Sequence, residues 1–175
     1  MAAAVLGPCL PSIRASQDQL TGYLLPEPLS RLPDLRVLWS SFVSATVRRR
    51  ITREATASLR RLSTLTLDKN VECEALDFLR RNENLTRLTL GWALLDDDVE
   101  EIAACSSLRH LSVQFPSMQG YTTEPLARLS RLESLRIAGI TTRDMTPFAG
   151  LAGLTSLEIC RSEINGIDTG VALLE

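Results

Sequence analysis

The chain has 175 residues, 45% of them hydrophobic but only 5% aromatic, so its apolar content is aliphatic and Leu dominates it. A chain of this length buries enough apolar surface for one domain or one array without disulfide support, which excludes collagen-like, disulfide-scaffold and disordered classes. A formal charge of −2 supplies no global field that would draw the chain onto nucleic acid or an anionic membrane.

Read from the start, Met1–Gly7 is apolar but has no basic residue before it and meets Pro8 early, which disfavours a secretory signal. No apolar run approaches the roughly 18 to 20 residues that span a bilayer. Leu10, Ile13 and Ala15 lie 25 residues ahead of Leu35 and Leu38, so residues 1–26 read as an irregular lead or a degenerate repeat. At Leu35 and Leu38 a degenerate Leu-x-x-Leu copy begins, with Ser40 where a third aliphatic is expected. The insert from Ser44 to Leu59 predicts a helix over roughly Thr52 to Arg60.

From there the pattern Leu-x-x-Leu-x-Leu is plain. It occurs at Leu62, Leu65, Leu67; Leu85, Leu88, Leu90; Leu108, Leu111, Val113; Leu132, Leu135, Ile137; and Leu154, Leu157, Ile159, in steps of 23, 23, 24 and 22 residues. Glu27-Pro28-Leu29-Ser30-Arg31-Leu32 aligns with Glu124-Pro125-Leu126-Ala127-Arg128-Leu129, and Pro147-Phe148-Ala149-Gly150-Leu151 gives a third version, so residues 27–175 form about six repeats. Between the copies, Asp96 to Cys105 reads as a helix with acids in its first turn and Val99, Ile102 and Ala103 on one face. Glu74 to Arg81 has a similar pattern, with Leu76 and Leu79 inward.

The repeats resemble the leucine-rich repeat family, whose period is 20 to 29 residues. The resemblance implies an α/β fold: a leucine-rich repeat solenoid with a concave parallel sheet and helices or 3-10 turns on the convex side. Asn at the ninth place, a family feature, survives only as Asn70; Ala93, Pro116, Ile140 and Ser162 stand elsewhere. Thr142 to Leu151 is similar to the short repeats of bacterial internalins and implies a tight 3-10 turn. Alternation in Leu65-Thr66-Leu67 puts both aliphatics inward and the middle residue outward. One such repeat cannot bury its own Leu residues, so neighbours depend on one another. No clear C-terminal cap follows the last copy, which predicts a longer array or a partner packed on the ends.

Counting the first Leu of each copy as place one, places three, five, seven and eight are expected outward. Place eight then carries Phe42, Lys69, Trp92, Phe115, Gly139 and Arg161, and Trp39 at place five adds another ring. These rings either form a contact patch of the kind that makes binding hot spots or cover the rim of the core. Arg87, His110, Arg136, Glu158 and Arg161 complete the expected partner-binding surface. His110, the only His, has a Ser but no carboxylate beside it in the pattern and reads as a surface residue.

The basic run Arg48-Arg49-Arg50, Arg53, Arg60 and Arg61 lacks interleaved aromatics for base stacking and reads as a solvated helix face or a contact for an acidic protein. Asp96-Asp97-Asp98 lacks EF-hand spacing and suits a helix N-terminus without metal. Cys9, Cys73, Cys105 and Cys160 are far apart, with no C-x-x-C pair, and read as separate buried thiols in a reducing compartment. No nucleotide-binding or hydrolase motif is present. The expectation is therefore a cytoplasmic, non-catalytic module without cofactor or metal, binding a protein partner and no small-molecule substrate, membrane or nucleic acid. The repeats, the Arg bias and the Thr-Pro-Phe-Ala-Gly-Leu turn look like the C-terminal sensor arrays of bacterial NACHT-type signalling ATPases. The alternatives are a substrate-recruiting region of a ligase or effector enzyme, or a stand-alone adaptor or immunity protein.

Overall fold

In a computed structural model of the chain, the described residues are 12–15, 33–40, 49–69, 71–115, 123–139, 146–160 and 172–173. Each Leu-x-x-Leu-x-Leu copy becomes one strand, because Leu at places four and six needs one buried face while the Thr, Ser and Arg between them tolerate water. The strands are β2 (Val37–Ser40), β4 (Thr64–Leu67), β6 (Arg87–Ala93), β7 (His110–Gln114), β8 (Ser134–Ala138) and β9 (Ser156–Cys160). Before them β1 (Ser12–Ala15) pairs in parallel with β2, Ile13 opposite Leu38, at the 25-residue step. After them β10 (Ala172–Leu173) runs antiparallel to β9. Together they make an open sheet in the order β1-β2-β4-β6-β7-β8-β9-β10, parallel through β9.

Register follows the repeat: Leu65, Leu88, Leu111, Leu135 and Leu157 sit opposite one another in successive strands. Leu62, Leu65, Leu67, Leu85, Leu88, Leu108, Leu132 and Leu135 are fully buried, and toward the last copy Leu154 and Ile159 are only half-buried. At the entry to each strand one carbonyl at place two accepts two N–H groups of the next repeat. Arg36, Ser63, Thr86, Arg109 and Glu133 all do this, the last for Thr155 and Ser156 at 2.9 and 3.1 Å. The hydroxyls of Ser63, Thr86 and Thr155 donate to the same carbonyls.

The returning segments on the other side differ from expectation in three places. The insert holds a short strand, β3 (Arg49–Ile51), and a single helical turn, α1 (Arg53–Thr56), in place of the longer helix, and β3 pairs in parallel with β5 (Val71–Cys73) just after β4. Ile51 and Val71 enter the core from this pair, so Arg49 and Arg50 belong to a strand and not to a helix face. The segment over 74–81 is a 3-10 helix, η1 (Asp77–Arg81). With β5 occupying the start of that return, few residues remain to reach the next strand, and a 3-10 helix rises about 2.0 Å per residue against about 1.5 Å in an α-helix. The acidic segment forms the expected helix, α2 (Asp96–Ala103), with Val99, Ile102 and Ala103 buried. Next comes η2 (Glu124–Arg128), and Thr146–Ala149 makes one α-helical turn, α3, where a 3-10 turn is predicted.

Exposed ion pairs link these outer segments across repeats: Arg80 to Glu101 at 2.5 Å, Arg128 to Glu100 at 2.7 Å and Arg53 to Asp77 at 3.8 Å. Such pairs contribute at most about 1 kcal/mol each.

Candidate functional site

Two lanes of side chains rise from the sheet between the buried Leu rows. Place three carries Val37, Thr64, Arg87, His110, Ser134 and Ser156, each in register with the next. Place five carries Trp39, Thr66, Thr89, Ser112, Arg136 and Glu158. Short hydroxyl side chains fill half of each lane, so the large residues between them stand out from the surface. Arg136 and Glu158 pair across adjacent strands at 3.1 Å, and each partner neutralises the other. Arg87 is exposed and has no ion pair among the described residues.

Trp39 and Arg87 line one hollow of about 440 Å³, with Val37, Thr64, Thr66 and Thr89 completing its walls. Trp39 is half-buried and lines the hollow from the β2 side. His110 lies beside Arg87 on the neighbouring strand and is half-buried. Of the expected partner-binding residues, the structure thus brings Trp39, Arg87 and His110 together at one end of the face and leaves Arg136 and Glu158 as a pair toward the other. Phe42 and Arg161 lie outside the described residues.

Trp92 and Phe115 correct the outward assignment of place eight. Trp92 is 9% and Phe115 2% exposed, and both belong to the core cluster. The reason is parity: place eight shares the parity of places four and six, and β6 continues the alternation Leu88, Leu90, Trp92 inward to its last turnless residue pair. Beyond β7 the Phe115 N–H still donates to the Ala138 carbonyl at 2.8 Å, so the ring continues the Leu111, Val113 row. Gly139, also at place eight, has φ +83°, and a Cβ there would meet the Phe115 carbonyl oxygen at 2.1 Å. Phe115 and Gly139 are therefore a packing unit beneath the strand ends.

One residue that the pattern did not single out organises the approach to β4. Three positions before the first Leu of each copy, the chain has Leu59, Asn82, Cys105, Leu129 and Leu151, all buried. In the copies at Leu85, Leu108, Leu132 and Leu154 the first Leu donates its N–H to the carbonyl three residues back. At Leu62 the Asn82 side chain replaces that bond. Its Oδ1 accepts the Leu62 N–H at 2.7 Å, and its Nδ2 donates to the carbonyls of Leu59 and Phe78, both at 2.9 Å. A single polar residue in an otherwise apolar column was the available signal.

Asp98, Cys105 and Cys73 have structural explanations. The Asp98 carboxylate accepts the Leu95 N–H at 3.0 Å at the start of α2. Burial pushes its pKa up; that hydrogen bond pulls it back, and the nearby Asp97 and Glu101 add to the rise. Burial first, then Glu101, pushes the Cys105 thiol up to about 12, with Arg80 opposing. The Cys73 thiol is driven up by burial and by Asp98. Both are poor nucleophiles, since the thiolate is the reactive form. Among the described residues no three His, Cys, Asp or Glu side chains are placed to hold a metal ion, and no helix is long and apolar enough to cross a membrane.

No protein-family model and no curated protein matches the chain. Among solved structures it is similar to an internalin (inlF) from Listeria monocytogenes str. 4b F2365, at 23% identity and a TM-score of 0.48. The alignment covers 78% of this chain and 45% of that one, so the chain spans less than half of the internalin. The architecture rests on the strand order and register themselves: an open, largely parallel sheet with one strand per repeat and short helical returns.

Proposed function

We propose that this chain is a non-catalytic protein-binding module, a leucine-rich repeat solenoid whose partner lies on the outward face of the parallel sheet. The observation that carries this reading is the hollow between Trp39 and Arg87, set in lanes of short hydroxyl side chains that the core does not need. A surface built on registered strands loses little ordering entropy on binding, and Trp and Arg are among the residues enriched at binding hot spots. Trp39, Arg87 and His110 form the centre of the contact, and Arg136 with Glu158 its flank.

The Arg bias and the Thr-Pro-Phe-Ala-Gly-Leu turn support a place for the module as a sensor region of a larger cytoplasmic bacterial protein of the NACHT type. The test is affinity capture on the chain beside a Trp39→Ala, Arg87→Ala double variant whose circular dichroism matches the parent. A partner captured by the parent and lost by the variant is expected. A partner retained undiminished by the folded variant overturns the assignment of this face.

A further inference from the structure

The sheet face has a definite charge character, and its occupant can be read from it. Over β2 to β9 the charged residues at places three and five are Arg87, Arg136 and Glu158, and at place seven half-buried Asp68 follows Leu67. Glu158 is already held by Arg136 at 3.1 Å, which leaves Arg87 as the charged residue of the place-three and place-five lanes of β2 to β9 outside that pair. By register the residue beside Trp39 in the place-five lane is Arg14. The hydroxyls of Thr64, Thr66 and Thr89 around the hollow have no hydrogen-bond partner among the described residues.

We infer that the face takes an extended acidic segment of a protein, one Asp or Glu carboxylate held by Arg87 and His110 together while a neighbouring apolar side chain fills the hollow against Trp39. This rests on the sheet face being the binding surface. Arg87 and His110 stand in register on β6 and β7, whose backbones run about 4.8 Å apart, so a single carboxylate above them can accept from both side chains. The guanidinium presents a planar fork of donors matched to a carboxylate, and the imidazole offers a ring N–H. Thr hydroxyls on the hollow's wall supply further donors to an acceptor-rich ligand. A polynucleotide is the poorer fit, because stacking needs successive exposed rings and the described face offers one.

The test measures fluorescence anisotropy of labelled dodecapeptides made of three Glu-Leu-Glu-Ser units, of the Gln-Leu-Gln-Ser counterpart, and of a dodecamer of thymidine, titrated with the full chain. The Glu peptide is expected to bind at least about tenfold tighter than its Gln counterpart, the size of one charge-assisted contact. Its affinity should fall about tenfold in Arg87→Ala, recover only in part in Arg87→Lys, and weaken as salt rises from about 50 to 500 mM. Equal binding of the Glu and Gln peptides, no change in Arg87→Ala, no binding of the Glu peptide at millimolar protein, or tighter binding of the oligonucleotide overturns the acidic occupant. If the Gln peptide binds equally well but Trp39→Ala weakens both, the face stands and only its charge preference falls. If peptides bind and neither substitution matters, both fall.

Discussion

Replacing Asn82 by Ala removes three buried hydrogen bonds at once, and the structure sets the size of the effect. The amide is 2% exposed and bridges Leu62, Leu59 and Phe78. Truncation leaves at least the Leu62 N–H and the Leu59 carbonyl without that partner, in a place water reaches poorly. Each buried group left unsatisfied costs about 1 to 3 kcal/mol, which puts the loss at about 3 kcal/mol. That is a large share of the ~5 to 15 kcal/mol that holds a domain of this size folded. Urea denaturation followed by far-ultraviolet circular dichroism gives the change, with an unaltered slope against denaturant confirming that the same structure unfolds. Amide exchange should quicken first at Leu62, because repeats open locally before they open together. Asn82→Asp adds a second readout: it keeps an acceptor for Leu62, but a carboxylate faces two carbonyls, so its destabilisation should grow as pH rises from the acid range. A loss below about 1 kcal/mol in Asn82→Ala, at constant slope, would refute the bridging role.

Gly139→Ala places a Cβ at 2.1 Å from the Phe115 carbonyl at a positive φ and should cost about 2 kcal/mol or more, whereas Gly150→Ala, with nothing within 4 Å, should stay within about 0.5 kcal/mol; thermal melts compare them. Trp92→Ala and Phe115→Ala should each destabilise by about 3 to 5 kcal/mol as core truncations, and a variant of either that melts like the parent would return the ring to the surface. The native Asp98 pKa is raised, so the native state holds that proton more tightly than the unfolded chain, and the stability gained is full below the ordinary Asp range and lost as pH rises through the raised value. Asp98→Asn should therefore be more stable than the parent at pH 7, with the gap closing in acid; a less stable variant at pH 7 contradicts this.

The strands were legible because their signal is repeated: Leu at places one, four and six recurs at a nearly fixed step, and stacked registers amplify what one copy states weakly. The helix over 96–103 was legible from its acidic first turn. Trp92 and Phe115 were misplaced because place eight was assigned by analogy with outward places when its parity was inward, and the structure follows parity until the strand ends. The β3 and β5 pair escaped notice because two three-residue strands, one in the insert and one in the return after β4, leave no period to detect. Asn82 was passed over because the pattern was counted forward from each first Leu, while the residue acts on the turn before it. Trp39 and Arg87 were both marked as outward, but their sharing of one hollow depends on the spacing between strands two places apart, which no linear pattern contains.

The lanes have a geometric consequence for any ligand longer than a few residues. Places three and five repeat about every 4.8 Å across the strands, while an extended chain laid over them presents same-side residues about every 6.7 Å. One step overshoots the next strand by about 1.9 Å, whereas two steps, about 13.4 Å, come within about 1 Å of three strand spacings. Recognition on a face of this kind is a vernier, and specificity gathers at alternate same-side residues, where the rulers agree, instead of accumulating evenly along the length.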